Sequence, residues 1–141
     1  MGYPSVDVLK TVHLTGYIDQ QHYPKINGFV RNKNLHLNSS IPPDTQPLSF
    51  IADTGFSGSI VLDTKIIQSI ESDYLGQDSV TLAGGVDYPV KVYLCTILIN
   101  SLKLKEVVIT EMNEEYLIGM SLMRTICKRA IFDFDKDQIL F

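Results

Sequence analysis

The sequence predicts a mostly-β fold, a barrel of many short strands with one or two short helices. Three observations carry that expectation. Apolar residues come in short runs, most of them bounded by glycine, proline, asparagine or aspartate. Two stretches only, Lys65 to Ser72 and Met120 to Lys128, space their apolar residues as a helix does. Residues 80 to 90, Val-Thr-Leu-Ala-Gly-Gly-Val-Asp-Tyr-Pro-Val, read as a hairpin with a glycine tip.

Along the chain, Val6 to Ile18 alternates roughly (Val8, Val12, Leu14, Ile18) and suits a strand. Asp19 to Lys25 is polar, contains Pro24, and reads as a loop. Ile26 to Leu37 alternates around Asn32-Lys33-Asn34, as two strands joined by a turn or one long bent strand. Asn38 to Gln46, with Pro42-Pro43, is a loop. Leu48 to Ala52 is apolar enough for a strand buried on both faces, and Ser59 to Leu62 makes a second short strand. Asp63-Thr64 can cap a helix over Lys65 to Ser72 that turns Ile66, Ile67 and Ile70 inward. Gly76 reads as a break. Ser79 to Leu82 and Pro89 to Ile99 are the hairpin arms, and Leu102 to Thr110 is a further strand. Tyr116 to Ile118 is short and buried, and Met120 to Lys128 is a helix with Leu122, Met123 and Ile126 inward. Ile131 to Phe134 and Gln138 to Phe141 close the chain as a hairpin around Asp135-Lys136-Asp137.

Length, composition and charge exclude several classes. The chain has 141 residues, enough for one core, with 45% hydrophobic and 20% charged residues, a globular balance. Net charge is −4, and the densest basic spots, Arg31-Lys33 and Lys103-Lys105, are too small for a nucleic-acid footprint. No apolar run approaches the roughly 18 residues a membrane span needs, so no membrane partner is expected. Met1 to Ser5 lacks the charged start and apolar stretch of a signal peptide, which points to the cytoplasm. The two cysteines, Cys95 and Cys127, lie in apolar stretches and read as buried free thiols, with a disulfide as the alternative that nothing in their spacing demands. His13, His22 and His36 have neither metal-ligand spacing nor a cysteine or acidic partner, so neither metal nor cofactor is expected.

The chemistry concentrates at residues 50 to 59, Phe-Ile-Ala-Asp-Thr-Gly-Phe-Ser-Gly-Ser. An apolar run delivers Asp53 into a tight turn of small residues, and a second apolar run, Ile60-Val61-Leu62, leaves it. An apolar setting disfavours the charged form of a carboxylate and so lets it work as an acid or base. Peptide hydrolysis without a metal or covalent nucleophile needs two carboxylates sharing one proton. The chain holds a single Asp-Thr-Gly, since Asp63 is followed by Thr64-Lys65, and Asp133 and Asp135 sit in a polar turn. A protease built on Asp53 must therefore be a symmetric homodimer.

Asp53-Thr54-Gly55-Phe56, the glycine-tipped hairpin, and Leu117-Ile118-Gly119 followed by a helix resemble, in this order, the retropepsin-like (clan AA) aspartic proteases. The match is closest to the prokaryotic single-domain branch whose turn reads Asp-Thr-Gly-Phe. It covers residues 26 to 141 as the protease domain and leaves 1 to 25 as an N-terminal extension. The resemblance implies a single-lobe acid-protease barrel acting as a homodimeric endopeptidase on extended peptide or protein segments. It implies catalytic roles for Asp53, Thr54 and Gly55, with Thr54 bracing the two loops across the dimer axis. Leu117, Ile118 and Gly119 would support the turn. Phe56, Ser57, Ala83, Gly84 and Gly85 would meet substrate, the last three as the tip of a flap. On its residues alone the hairpin is equally an ordinary turn, and a strand-to-helix break is the lesser alternative for Gly119. Phe56 stands where viral members carry a small residue, and Ser57-Gly58 lack the acidic residues that hold substrate backbone there. A catalytically weak dimerisation or peptide-binding module is the alternative function. Tyr88, placed after the tip, suits packing.

Overall fold

The computed structural model describes residues 15–30, 46–70, 72–82, 84–99 and 102–141. It is mostly β: β1 (Thr15–Ile18), β2 (Pro24–Val30), β3 (Gln46–Ala52), β4 (Ile60–Leu62), α1 (Thr64–Ser69), β5 (Asp73–Thr81), β6 (Asp87–Ile99), β7 (Leu102–Glu111), β8 (Leu117–Ile118), α2 (Met120–Ile126), β9 (Ile131–Asp133) and β10 (Gln138–Leu140). The strands join in one sheet, ordered β5-β6-β7-β4-β8-β3-β2-β1-β10-β9.

The sheet is not closed into the expected barrel. Its end strands, β5 and β9, do not pair with each other, and among the described residues it folds back on itself where Phe29 and Val30 of β2 pair with Leu98 and Ile97 of β6. The physical reason lies at the chain ends. β1 pairs with β2 on one side and with β10 on the other, and β9 continues the series, so the sheet runs on past β2. β1 precedes residue 25, so the sheet already contains residues ahead of the expected domain boundary.

Alternation explains the interior. In β3, Leu48, Phe50 and Ala52 are buried while Ser49 and Ile51 are half-buried, so this strand turns one face inward rather than hiding both. All three residues of β4 are buried. Phe50, Ile26, Ile60, Leu62, Ile109 and Leu122 are fully enclosed in the core. Each such side chain contributes about 1.5–3 kcal/mol on leaving water.

Two of the element boundaries that differ from expectation show why. α1 stops at Ser69 because Ile70 turns extended (φ −118°, ψ 158°) and packs against the core. β5 begins at Asp73, with Gly76 inside it rather than breaking it. The register shifts between Tyr74 and Gly76, a bulge that Gly76 accommodates at φ +131°.

Candidate active site

The Asp53 turn is not a hairpin. Its incoming strand β3 and outgoing strand β4 are separated by β8, which runs parallel to β3 (Ile51 opposite Leu117, Ala52 opposite Ile118) and antiparallel to β4 (Ile60 opposite Ile118). A two-residue strand can occupy that slot because both its edges are paired. The Asp53 N–H donates to the Ile118 carbonyl (2.9 Å), and the Ile51 N–H donates to the Tyr116 carbonyl (2.9 Å).

Within the turn, Asp53 is half-buried and one carboxylate oxygen accepts the Gly55 N–H (2.8 Å). The Phe56 N–H donates to the Asp53 carbonyl (3.2 Å), which closes the turn. Thr54, Gly55 and Ser57 are exposed. The turn's far side is tied to the chain after β8: the Gly119 N–H donates to the Ser59 carbonyl (2.8 Å), Met120 N–H to Phe56 carbonyl (2.8 Å), and Ser121 N–H to Gly58 carbonyl (3.2 Å). These bonds occupy the carbonyls of residues 56, 58 and 59, and they require the start of α2 to lie directly against the turn.

Gly119 is buried at that junction. A Cβ there would fall 2.7 Å from the Phe56 carbonyl oxygen and 2.6 Å from the Phe56 ring, with the Gly58 carbonyl oxygen nearer still. The Phe56 ring is half-buried and lies over Gly58 and Gly119, so it packs on the turn's support.

A second tie went unread in the sequence. Asp63 accepts the Ile66 N–H (2.8 Å) as the N-cap of α1, and its other carboxylate oxygen accepts the Tyr116 hydroxyl (3.0 Å). The exit of β4 is thereby fixed to the entrance of β8. Burial, then the bond to Asp63, raises the Tyr116 hydroxyl above its ordinary range. The cap signal Asp63-Thr64 was legible, but its long-range partner is 53 residues away and had no local signal.

Thr54 and Ala52 help line a cavity of about 200 Å³ together with Met120, Phe132 and Phe141. Arg124, Lys128 and Arg129 line it too, and Met120 and Phe132 are exposed there.

The hairpin of β5 and β6 stands exposed along its outer arms. At its tip the Leu82 N–H donates to Val86 carbonyl (2.9 Å) and the Gly85 N–H to Leu82 carbonyl (3.0 Å). Gly84 and Gly85 take φ +98° and +79°, a backbone region that favours glycine. Ala83 lies outside the described residues. A cavity of about 410 Å³ opens beside the hairpin, and Asp53 is not among its lining residues. Tyr88, expected to pack, is half exposed and lines this cavity.

Cys95 is buried, its thiol donates to the Thr96 carbonyl (3.3 Å), and burial pushes it up to about 12. The Cys127 thiol is raised by burial. Among the described residues no group of three histidine, cysteine, aspartate or glutamate side chains could hold a metal ion. Among them also, no helix is long and apolar enough to cross a membrane. His13 and His36 lie outside the described residues.

No family model matches the sequence, and no curated protein matches it. Among solved structures, the chain is similar to a retropepsin-like aspartic protease from Rickettsia conorii at 20% identity and a TM-score of 0.57. The likeness covers 99% of this chain and 95% of that one. The architecture described above, with Asp53 at a turn whose two strands flank β8, is thus a retropepsin-like fold.

Proposed function

We propose that the chain is an aspartic endopeptidase of the retropepsin-like family, of the branch whose turn reads Asp-Thr-Gly-Phe, and that it works in the cytoplasm as a homodimer. The observation that supports it is the Asp53 turn itself. A half-buried carboxylate is held at the protein surface by β8 on one side and by Gly119 and Met120 on the other, with exposed Met120 and Phe132 nearby.

Two copies of Asp53 would meet across a two-fold axis, because one chain supplies one such carboxylate. Close like charges do not both ionise readily, so the pair holds one proton between them. The ionised carboxylate removes a proton from water, and the water oxygen attacks the peptide carbonyl carbon. The protonated carboxyl group donates to the carbonyl oxygen as charge builds there. Proton delivery to the amide nitrogen then releases the amine as the C–N bond breaks. Thr54 braces the two turns, Gly55 holds the Asp53 carboxylate through its N–H, and Leu117, Ile118 and Gly119 keep the turn in place. Phe56, through its carbonyl and ring, belongs with that support. Ser57 and the tip residues Ala83, Gly84 and Gly85 would face an extended peptide laid beneath the hairpin.

The test is cleavage of a diverse peptide mixture, read by mass spectrometry between about pH 4 and pH 7, the range suited to shared-proton dyads. The expected result is cleavage by the natural protein, with a bell-shaped pH dependence, and none by Asp53→Asn of unchanged fold. Equal cleavage by both would remove Asp53 from the chemistry. A dimer that binds peptides without cutting them would make the domain a binding module.

A further inference from the structure

The cavity beside the hairpin has two unlike walls. One comes from the hairpin and carries Leu82, Tyr88 and Lys91; the other is the end of β7 and the loop after it, with Glu111, Met112 and Glu114. Two carboxylates against one ammonium leave the lining with a net charge of −1. Leu82, Tyr88 and Met112 add apolar surface to the lining, and the β6–β7 register sets Lys91 beside Glu111.

The acidic wall is fixed in place. The Met112 N–H donates to the Leu62 carbonyl (3.0 Å), and Asn113 Oδ1 accepts the Thr64 N–H (2.9 Å). The Tyr93 hydroxyl donates to Glu111 Oε2 (3.3 Å). Leu62 ends the strand that leaves the Asp53 turn, and the acidic loop leads into β8, which supports that turn. The cavity is therefore coupled through both strands to the candidate site without containing Asp53.

We infer that this cavity takes a lysine or arginine side chain of a bound peptide, its aliphatic stem along Leu82, Tyr88 and Met112 and its cationic head at Glu111 and Glu114. The inference rests on the reading of the hairpin as the element that covers peptide. Long basic side chains are suited to such a lining, because stem and head want different surroundings. An apolar side chain of the same length would cover the half-buried Glu111 carboxylate and give it no donor in return. An acidic one would add a third negative charge against the single Lys91.

The test uses Asp53→Asn protein, which leaves peptide uncut. An extended octapeptide is scanned at each position with lysine, norleucine or glutamate, and affinity is read by fluorescence anisotropy at low salt. At one position lysine should bind about fivefold tighter than norleucine, the scale of a partly solvated charge pair, and the gap should narrow as salt rises. Adding Glu111→Gln and Glu114→Gln, which keep side-chain volume, should abolish that preference and leave norleucine binding unchanged. Equal or tighter binding of norleucine or glutamate at every position overturns the inference, as does a lysine preference that survives both substitutions, or no binding at all. Cleavage of the same peptides by the natural protein separates the two readings. Cutting without a basic preference overturns the cavity's role alone. A basic preference in binding without cutting supports the cavity and removes the peptidase.

Discussion

A Cβ built on Gly119 would lie 2.7 Å from one carbonyl oxygen and closer to a second, both of them backbone atoms already engaged by the N–H groups of Met120 and Ser121. Neither can move without breaking the clamp on the Asp53 turn. Gly119→Ala should therefore cost about 3 kcal/mol, the upper range for overpacking, and lower Tm by about 10 °C. A scanning calorimetry trace at the natural Tm would show that the turn yields more easily than this geometry allows. Cys95 carries a different kind of expectation. Burial raises its thiol from 9.0 to about 12, so folding favours the neutral form. That contribution is complete below about pH 9 and is lost as pH rises toward 12. A disulfide reagent at pH 8 should label Cys95 only on unfolding, and Cys95→Ala should flatten the fall of urea stability above pH 9. Rapid native labelling would contradict the burial.

Asp63 joins two elements that the chain separates. It caps α1 and holds the Tyr116 hydroxyl at the entrance to β8. Asp63→Ala should cost about 2 kcal/mol, combining a lost cap with a lost charge-assisted bond, and Tyr116→Phe about 1 kcal/mol. In a double-mutant cycle the two should couple by about 1 kcal/mol; strict additivity would mean that the pair does not hold β8. Elements were legible where the signal was local. The spacing of Ile66 and Ile67, the Asp63 cap and the Gly84-Gly85 tip each marks its element from within a few residues. Gly76 misled, because a glycine that breaks a strand and one that makes a bulge look alike until the partner strand is present. Ile70 misled for a related reason: its spacing is helical, but the core draws it off in extended form.

The whole molecule exposes Phe132, at the cavity that Thr54 lines with Arg124, Lys128 and Arg129, and Phe134 just after β9. Phe132 and Phe134 stack on each other at 6.3 Å. An exposed, stacked pair of rings beside the turn is suited to an interaction face. Under the proposed function that face meets its own copy. Sedimentation should give the mass of a dimer, and Phe132→Glu should give a monomer that no longer cleaves peptide while Tm changes by less than about 3 °C, as for most surface substitutions. A monomeric natural protein that still cleaves would break the link between the single Asp53 and two-fold symmetry.

By itself, the sequence determined the β-rich class, the small-residue turn at Asp53, the glycine-tipped hairpin and the apolar-apolar-glycine of Leu117 to Gly119. Each of these is written in neighbours that touch along the chain. Only the tertiary structure decided that β8 slots between β3 and β4, that Gly119 lies beneath Phe56, and that the sheet runs on through β1 and β10 instead of closing. It alone brought Glu111 and Glu114 into one cavity lining with Tyr88 and Lys91. Strand partners and cavity walls are set by contacts between residues tens of positions apart. Hydrophobic burial drives those contacts without direction, so a pattern of apolar residues says which side chains leave water and not which of them meet.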